Sequence, residues 1–271
     1  MSRAAPPVRD GLRMAFGTLT AVPVPPPRAV DRRVAGVAMT LAPLAALFLA
    51  ALAVPAVLLG TWLGLPPLVS AVAAIGVVTF GSRGLHLDGL ADTADGLAAS
   101  YDRDRALDVM RRGDVGPTGV VTLVLAVLTQ VAALAGIVAS GPTPATAVSA
   151  MAIAVVAGRG MLPLCCVRGL PSARPEGLGA AVAGSVPPGV AAVVAALVIA
   201  AAAVVTAVVP GPPWWQGVLA VLLGWLAAGA LLGHAVRRFG GVTGDVLGAC
   251  VETATLVTLV VFSASGLDPL R

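Results

Sequence analysis

The sequence predicts an all-α fold, a polytopic integral membrane bundle of about seven transmembrane helices with a cytoplasmic acidic helix between spans 2 and 3. Three observations lead to this fold class. Of the 271 residues, 58% are hydrophobic and 11% are charged, whereas soluble domains carry about 25% charged residues. The mean hydropathy is +0.97. Apolar segments of roughly the 20 residues that cross a bilayer recur along the chain, and the charged residues concentrate between them.

The N-terminal region holds the first two predicted spans. Residues 1–33 carry six arginines and two aspartates around the short apolar patch 12–22, which predicts a cytoplasmic or interfacial helix rather than a span. Residues 34–63 form the first long apolar segment without charge. Residues 68–80 form the second, which extends to the glycine-containing break at 81–84.

A long polar region, 81–116, comes next. It contains five arginines and seven aspartates, and we expect it to be the cytoplasmic active-site segment. Because the sequence shows no internal repeat and no second soluble domain, we expect residues 1–271 to form a single membrane-embedded catalytic domain. Five further spans are predicted at residues 117–139, 143–165, 187–209, 214–236 and 243–265.

The distribution of arginine predicts the orientation. Cytoplasmic loops of membrane proteins are enriched in basic residues, and here arginine-bearing segments alternate with uncharged turns. We therefore expect a multi-pass protein of the bacterial cytoplasmic membrane, with its N-terminus and active site in the cytoplasm. The net charge of +4 then reflects topology and does not indicate nucleic-acid binding. All arginines but the last residue lie in 1–33, 83–112, 159–174 and 237–238, and the uncharged turns are 60–67, 140–144 and 210–213.

The stretch 84–96, GLHLDGLADTADG, contains the candidate metal site. Asp88, Asp92 and Asp95 fall at i, i+4 and i+7, so a helix places them on one face with no cation among them. Oxygen ligands, with no cysteine and one histidine nearby, favour Mg²⁺ or Mn²⁺ over Zn²⁺. The alternative is a solvated acidic helix face.

A second candidate site is the turn that leads into the third span. Arg111 and Arg112 precede a glycine-containing turn, and Pro117, Thr118 and Gly119 open the helix. Backbone N–H groups at a helix start, together with guanidinium groups, bind phosphate. The alternative is a topological pair of arginines followed by a turn.

Three charged residues fall within predicted spans. Arg159 lies about four residues from the membrane edge, where an arginine is costly unless it is paired or lines a wet cavity; snorkelling to the surface is the alternative. Asp245 and Glu252 are seven residues apart on one helical face, which puts Glu252 roughly 10 Å deeper. An intramembrane carboxylate indicates a functional site, and a structural, hydrogen-bonded acid is the alternative.

Carboxylates that hold Mg²⁺ and arginines that bind phosphate are the groups phosphoryl transfer needs, because its catalysis is mostly positioning and charge neutralisation. The sequence has no P-loop, no GxSxG and no zinc motif. The residues alone therefore predict a metal-dependent membrane enzyme that acts on a phosphate ester or diphosphate.

Together with the segments 19–25, 171–179 and 240–252, these motifs closely resemble the cobalamin synthase family, the adenosylcobinamide-GDP ribazoletransferases. Their order and spacing match along nearly the whole chain, and the block HLDGLADTADG is the specific one. The resemblance implies transfer of the cobinamide-phosphate moiety of adenosylcobinamide-GDP to α-ribazole or its 5′-phosphate, with release of GMP and with Mg²⁺. The product would be adenosylcobalamin or its phosphate.

The resemblance also implies roles for individual residues. Asp88, Asp92 and Asp95 would hold Mg²⁺ on the diphosphate. Asp245 would complete the metal site or take the hydroxyl proton, and His86 is a second candidate base. The run 111–114, Arg-Arg-Gly-Asp, departs from the family's usual pattern, so which arginine reaches substrate stays open. The residues expected to bind substrate or phosphate are Arg111, Arg112, Thr118, Gly119, Arg159, Arg174, Thr243 and Glu252.

Two other functions compete with this interpretation. A CDP-alcohol phosphotransferase also uses a membrane helix with aspartates and Mg²⁺, but Asp92 stands where its pattern requires arginine. A transporter would place charged groups near mid-membrane and show an internal repeat. The expected partners are the two substrates and membrane lipid, with either a homo-oligomer or an association with other cobalamin-assembly enzymes.

Overall fold

The computed structural model describes residues 7–264, and the described chain is built from α-helices. Two isolated β-bridges are the only extended pairing within this range. The helices are α1 (Pro7–Leu19), α2 (Arg32–Thr40), α3 (Ala42–Trp62), α4 (Pro67–Gly81), α5 (Leu85–Ala99), α6 (Arg103–Arg111), α7 (Pro117–Ser140), α8 (Pro144–Cys165), α9 (Leu178–Val182), α10 (Pro188–Val208), α11 (Trp214–Phe239) and α12 (Gly244–Ser263).

The predicted polytopic membrane fold is confirmed. Six helices are long and apolar enough to cross a membrane, namely α3, α7, α8, α10, α11 and α12. The shorter α4 qualifies only together with α5, and the two are bent by 86° at the break between them. Counting α4 as a crossing gives the seven predicted spans, and the acidic helix α5 then turns away from the direction of α4.

Local chemistry sets many of the helix ends. Helices α4, α7, α8 and α10 begin at proline, whose missing N–H is not needed in the first turn. Asp31, Asp102 and Thr243 cap α2, α6 and α12 by accepting backbone N–H groups. Gly240 ends α11 in the left-handed conformation, at φ 74°.

Two predicted boundaries differ from the structure. The segment 34–63 is not one helix, because the chain breaks at Leu41 and α3 starts with a proline in its first turn. The predicted interfacial patch 12–22 is helical only to Leu19, within α1. Residues 1–6 of the predicted N-terminal region lie outside the described residues. So do residue 265 of the last predicted span and the terminal residues after it.

Helices α8 and α12 form the centre of the bundle. The most apolar window of α8 is 78% buried and that of α12 is 67% buried, against 28–39% for the other four long helices. Glycines allow this packing: a Cβ on Gly158 would meet Thr255, and a Cβ on Gly224 would lie 2.6 Å from the Thr258 hydroxyl. Helices α5, α7, α8 and α11 all contact α12.

The connections at one end of the bundle are joined to each other. The loop after α8 pairs with the α11–α12 connection, since the Ala173 amide donates to the Val242 carbonyl and the Val242 amide to the Pro171 carbonyl, both at 2.9 Å. With seven crossings, the connectivity puts this loop, α1, α5, α6 and the start of α12 on the same side. All the predicted site residues outside the spans therefore belong to one end of the molecule.

Candidate active site

The break between α4 and α5 redirects the acidic helix. Arg83 and Gly84 both have left-handed backbones, at φ 57° and 69°. Arg83 is a non-glycine residue in this conformation, and its guanidinium donates to the Gly17 carbonyl at 2.6 Å. The C-terminal end of α1 thereby holds the turn that gives α5 its direction.

Helix α5 crosses α12 at a backbone-to-backbone contact. A Cβ on Gly89 would lie 2.7 Å from the Asp245 carbonyl oxygen, and a Cβ on Gly248 would lie 3.1 Å from the His86 backbone. Only glycine permits so close an approach. The last span therefore packs beside the acidic helix, as it must if Asp245 is to join the aspartates of α5.

The crossing creates a cavity of about 140 Å³. His86 and Asp88 of α5 line it together with Asp245 of α12. Thr18 and Met39 contribute walls from α1 and α2. We call Asp88, Asp92 and Asp245, with the neighbouring Arg174, the acidic cluster.

Asp92 experiences the repulsion within this cluster. It is buried, at 8% exposure, and makes no side-chain hydrogen bond to the described residues. Burial, then the charges of Asp88, Asp245 and Asp95, raises the pKa of Asp92 to about 6, and Arg174 only partly opposes them. The cluster therefore favours the arrival of positive charge.

Asp95 has a different environment from Asp92. The Gly116 amide donates to its Oδ2 at 2.7 Å and the Gly119 amide donates to its Oδ1 at 2.8 Å. These amides open α7, whose positive end an anion stabilises. The structure thus places the Asp95 carboxylate, and not a substrate phosphate, on the N–H group of Gly119.

The acidic cluster fits Mg²⁺ as an ion shared with substrate. Within residues 7–264, no three His, Cys, Asp or Glu side chains are grouped closely enough to enclose a metal. Mg²⁺, however, is commonly held by one or two carboxylates plus substrate phosphates. The donors here are all carboxylate oxygens, and Asp88 is exposed. These residues suit that mode and not an all-protein cage.

Arg174 is the predicted arginine that reaches the cluster. Its Nη1 lies 3.5 Å from Asp245 Oδ2, and its Nη2 donates to the Leu107 carbonyl at 2.8 Å. Its Nε is buried without a partner. The Thr243 hydroxyl lies 3.2 Å from the same Asp245 oxygen. Thr243 therefore contacts the site through Asp245.

The structure does not bring the other residues of the α6–α7 turn into the cluster. The side chains of Arg111, Arg112 and Thr118 are exposed and make no hydrogen bond to the described residues. Arg111 and Arg112 end α6, the helix whose Leu107 carbonyl holds Arg174. Their predicted contact with substrate stays a prediction.

Arg159 and Glu252 occupy a second, buried cluster. With His86 and Gln130 they are exposed by only 1–7%. Arg159 Nη2 lies 3.2 Å from His86 Nδ1, and Gln130 Nε2 donates to Glu252 Oε2 at 2.8 Å. We call these four residues the buried cluster. Arg159 does not snorkel to the surface.

Comparison with known proteins decides the family. The profile of the cobalamin-5-phosphate synthase family matches residues 11–263. This chain belongs to that family. A Nocardioides protein described as adenosylcobinamide-GDP ribazoletransferase is 43% identical over 257 residues, 95% of this chain and 100% of that protein. Proteins of the same description from Frankia casuarinae and Bradyrhizobium diazoefficiens are 38% and 34% identical, each over 93% of both chains. No solved structure matches the chain.

In this cobalamin-5-phosphate synthase family member, Arg159 fixes the proton arrangement of His86. A guanidinium can only donate hydrogen bonds, so His86 Nδ1 accepts. The neutral ring then carries its proton on Nε2, which is buried without a partner. His86 also lines the cavity beside Asp88, and with Nδ1 engaged by Arg159 its Nε2–H is a hydrogen-bond donor rather than a free base.

Sequence reasoning missed some residues of the site. Thr18, Met39 and Leu178 line the cavity, yet none was predicted to belong to it. The segment 19–25, which contributes to the family resemblance, was the available signal, since it directly follows Thr18. Leu178 lies within the segment 171–179, which also contributes to the resemblance, whereas Met39 is an ordinary apolar residue that nothing in its sequence context marks.

Proposed function

We propose that this chain is an adenosylcobinamide-GDP ribazoletransferase and that the acidic cluster is its active site. It transfers the cobinamide-phosphate moiety of adenosylcobinamide-GDP to α-ribazole, or to α-ribazole 5′-phosphate, and releases GMP. The observation that carries the proposal is that Asp88 and Asp92 of α5 lie close to Asp245 of α12 and to Arg174 of the loop after α8. Carboxylates and a guanidinium at one point suit a diphosphate substrate.

The reaction is a displacement at phosphorus. A ribose hydroxyl of the acceptor attacks the phosphorus attached to cobinamide, the bond from that phosphorus to the oxygen of GMP breaks, and GMP leaves. The hydroxyl proton passes to a carboxylate, for which we propose Asp245. It lines the cavity, and Thr243 and Arg174 contact its Oδ2, so its Oδ1 is left to accept the proton.

Arg174 and His86 bind and orient the reacting group. Arg174 lies 3.5 Å from Asp245 and has an unpartnered Nε, which suits it to bind a phosphate oxygen beside the base. The Nε2–H of His86 donates to an oxygen of the substrate in the cavity. The exposed Arg111 and Arg112 add positive charge beyond Arg174, and we propose that they contact the GDP portion.

We further propose Mg²⁺ as the cofactor. Asp88 and Asp92 would hold it together with oxygens of the diphosphate, and the ion would neutralise the charge that develops on the leaving GMP. The raised pKa of Asp92, about 6, supports a cation at this position. Asp95 lends negative charge but has each oxygen engaged by an α7 amide.

We also propose that the site faces the cytoplasm of a bacterial cell. The support is the alternation of arginine-bearing and uncharged connections. The connectivity of the seven crossings puts α5, α6 and the start of α12 on the arginine-bearing side. The substrates would then reach the acidic cluster without crossing the membrane.

The test is a product assay with the purified, detergent-solubilised chain. Adenosylcobinamide-GDP and α-ribazole are supplied with Mg²⁺ or with EDTA, and GMP and the corrinoid product are both quantified. Equal amounts of the two products, formed only with Mg²⁺, are expected. Activity that EDTA leaves intact would refute the metal. A folded protein that instead transfers from CDP-diacylglycerol to an alcohol would refute the substrate.

A further inference from the structure

A second and larger cavity lies on a different face of α2 from the acidic cluster. Its volume is about 590 Å³, within the range of ligand pockets. It is bounded by α2, by the start of α10 and by the loop between α8 and α10. We call it the basic pocket, defined by Arg32, Arg33, Val37, Arg168, Ser185 and Val190.

The charge of the basic pocket is not compensated by nearby carboxylates. The side chains of Arg33 and Arg168 are exposed and form no ion pair or hydrogen bond with residues 7–264. Arg32 donates from Nε and Nη2 to the Gly184 carbonyl, at 3.2 and 2.6 Å. Asp31 uses its carboxylate to cap α2 through the Arg33 amide at 2.8 Å. The pocket therefore attracts an anion.

A buried hydroxyl points to a ligand independently of these charges. Ser185 lines the pocket and is only 6% exposed, and its buried hydroxyl has no hydrogen-bond partner among the described residues. An unsatisfied buried polar group destabilises the folded chain, and a hydrogen bond to a ligand oxygen would remove that cost. The first turn of α10, a helix of 21 residues, adds the positive end of a helix dipole just after Ser185.

The remaining walls are apolar and continue into the membrane. Val37, Leu41 and Val190 line the pocket, and the spans α3 and α10 begin here, at Ala42 and Pro188. Guanidinium groups thus stand at the membrane edge above a hydrocarbon surface. Free phosphate or a nucleotide would satisfy the arginines but leave the apolar wall without a partner.

We propose that the basic pocket binds one anionic glycerophospholipid. Its phosphate lies between Arg33 and Arg168, an ester or headgroup oxygen accepts from the Ser185 hydroxyl, and an acyl chain follows Val37 and Val190 toward the membrane interior. Basic pockets between membrane helices recognise lipid headgroups in this way. The site is separate from the acidic cluster and does not depend on the proposed transferase activity.

Native mass spectrometry of the full chain in a neutral detergent tests the proposal, because no charged membrane surface is present to attract the protein. The probes are phosphatidylglycerol, phosphatidylcholine and inorganic phosphate. The variant Arg33→Gln/Arg168→Gln removes two charges, and Arg105→Gln/Arg237→Gln removes two exposed charges elsewhere. Val190→Trp fills the pocket without changing its charge.

One phosphatidylglycerol per chain is expected, bound more tightly than phosphatidylcholine and not displaced by millimolar phosphate. The variant Arg33→Gln/Arg168→Gln should weaken binding about thirtyfold, because each substitution removes the attraction of one arginine for an anionic lipid. Val190→Trp should abolish binding. Ser185→Ala should weaken it less. Equal loss in the control pair would overturn the proposal in favour of diffuse attraction. Displacement by phosphate, or full binding by Val190→Trp, would overturn it as well.

Discussion

Helices α5 and α12 contribute to two polar clusters that differ in charge balance: one has excess negative charge, and in the other the charges are equal in number. The acidic cluster sets three aspartates against the single guanidinium of Arg174. The buried cluster, two helical turns further along α12, sets one arginine, Arg159, against one glutamate, Glu252. His86 belongs to both, since it contacts Arg159 and lines the cavity. The balanced cluster belongs to the core, whereas the unbalanced one would be completed by the proposed cation and substrate.

The largest expected effect is a loss of activity when the acidic cluster, and not the buried cluster, is altered. Asp92→Asn keeps the side-chain volume and removes one charge from the acidic cluster. We expect kcat/KM for GMP release to fall about 10³-fold, the effect of losing a strong electrostatic contact in a transition state. The melting temperature should hold or rise, because repulsion is relieved. Asp108→Asn, at an exposed position of α6, is the control. Normal activity in Asp92→Asn would remove Asp92 from the site.

A substitution in the buried cluster should instead lower the stability of the fold. Glu252→Gln removes the nearby carboxylate charge that stabilises the buried guanidinium of Arg159, although the two groups form no direct ion pair, and we expect a cost of about 2–3 kcal/mol. We expect thermal unfolding in detergent to begin at markedly lower temperature. The double variant Arg159→Met/Glu252→Met removes both charges and should recover most of the loss. A single variant as stable as wild type would show that the two charges are not coupled.

A variant of Asp95 tests whether this residue binds a metal or stabilises the contact between α5 and α7. Asp95→Asn replaces an oxygen that accepts an α7 amide by an amide group that cannot, and removes the anion from the start of α7. We expect a loss of about 2 kcal/mol in the free energy of unfolding, seen as a lower melting temperature. If Asp95→Asn melts like wild type and loses activity as Asp92→Asn does, Asp95 is a metal ligand as the sequence predicted.

His86 connects the clusters, and two variants separate its two nitrogens. Glutamine places an amide N–H near the position of Nε2, whereas asparagine keeps a polar atom near Nδ1. If the Nε2–H contacts substrate, kcat/KM of His86→Gln should exceed that of His86→Asn by about tenfold, the value of roughly one hydrogen bond. The opposite ranking would show that contact with Arg159 matters more than donation into the cavity.

The smallest effect is a pH dependence of the metal-free protein. The folded-state pKa of Asp92, about 6, lies above its ordinary 3.8, so its protonated form stabilises the fold. That contribution is present at low pH and is lost as pH rises through about 6. With EDTA, the melting temperature should fall by a few degrees between pH 5 and 7, the size of about 1 kcal/mol. Asp92→Asn should not show this fall.

Much of the fold could be predicted because it depends on local signals. Prolines at Pro117, Pro144 and Pro188 and long uncharged runs determine where the spans begin, and the structure follows them closely. The break at Leu41 was missed because residues 34–63 carry no charge on either side of it. The acidic helix was predicted from the spacing of its aspartates, and α12 had to lie beside it only if Asp245 completes the same metal site.

The site was predicted in its residue types better than in its contacts. Asp95 shares a face with Asp88 and Asp92 in sequence, but the start of α7, more than 20 residues away, binds it. Arg159 was expected at a phosphate, yet its partner is His86, 73 residues away in the chain. Such pairings depend on how helices meet, which periodicity within a single helix does not encode.

The crossing of Gly89 and Gly248 also has a consequence for biogenesis. Synthesis delivers the N-terminal segments first, so α5 is in place before α7, α8, α10 and α11 are inserted. Asp245 and the backbone that packs on Gly89 arrive only with α12, the last helix that the structure describes. Until then, the growing polypeptide contains the aspartates of α5 but not Asp245, so the acidic cluster is incomplete. With the acidic cluster as the proposed active site, activity becomes possible only after α12 has docked on α5.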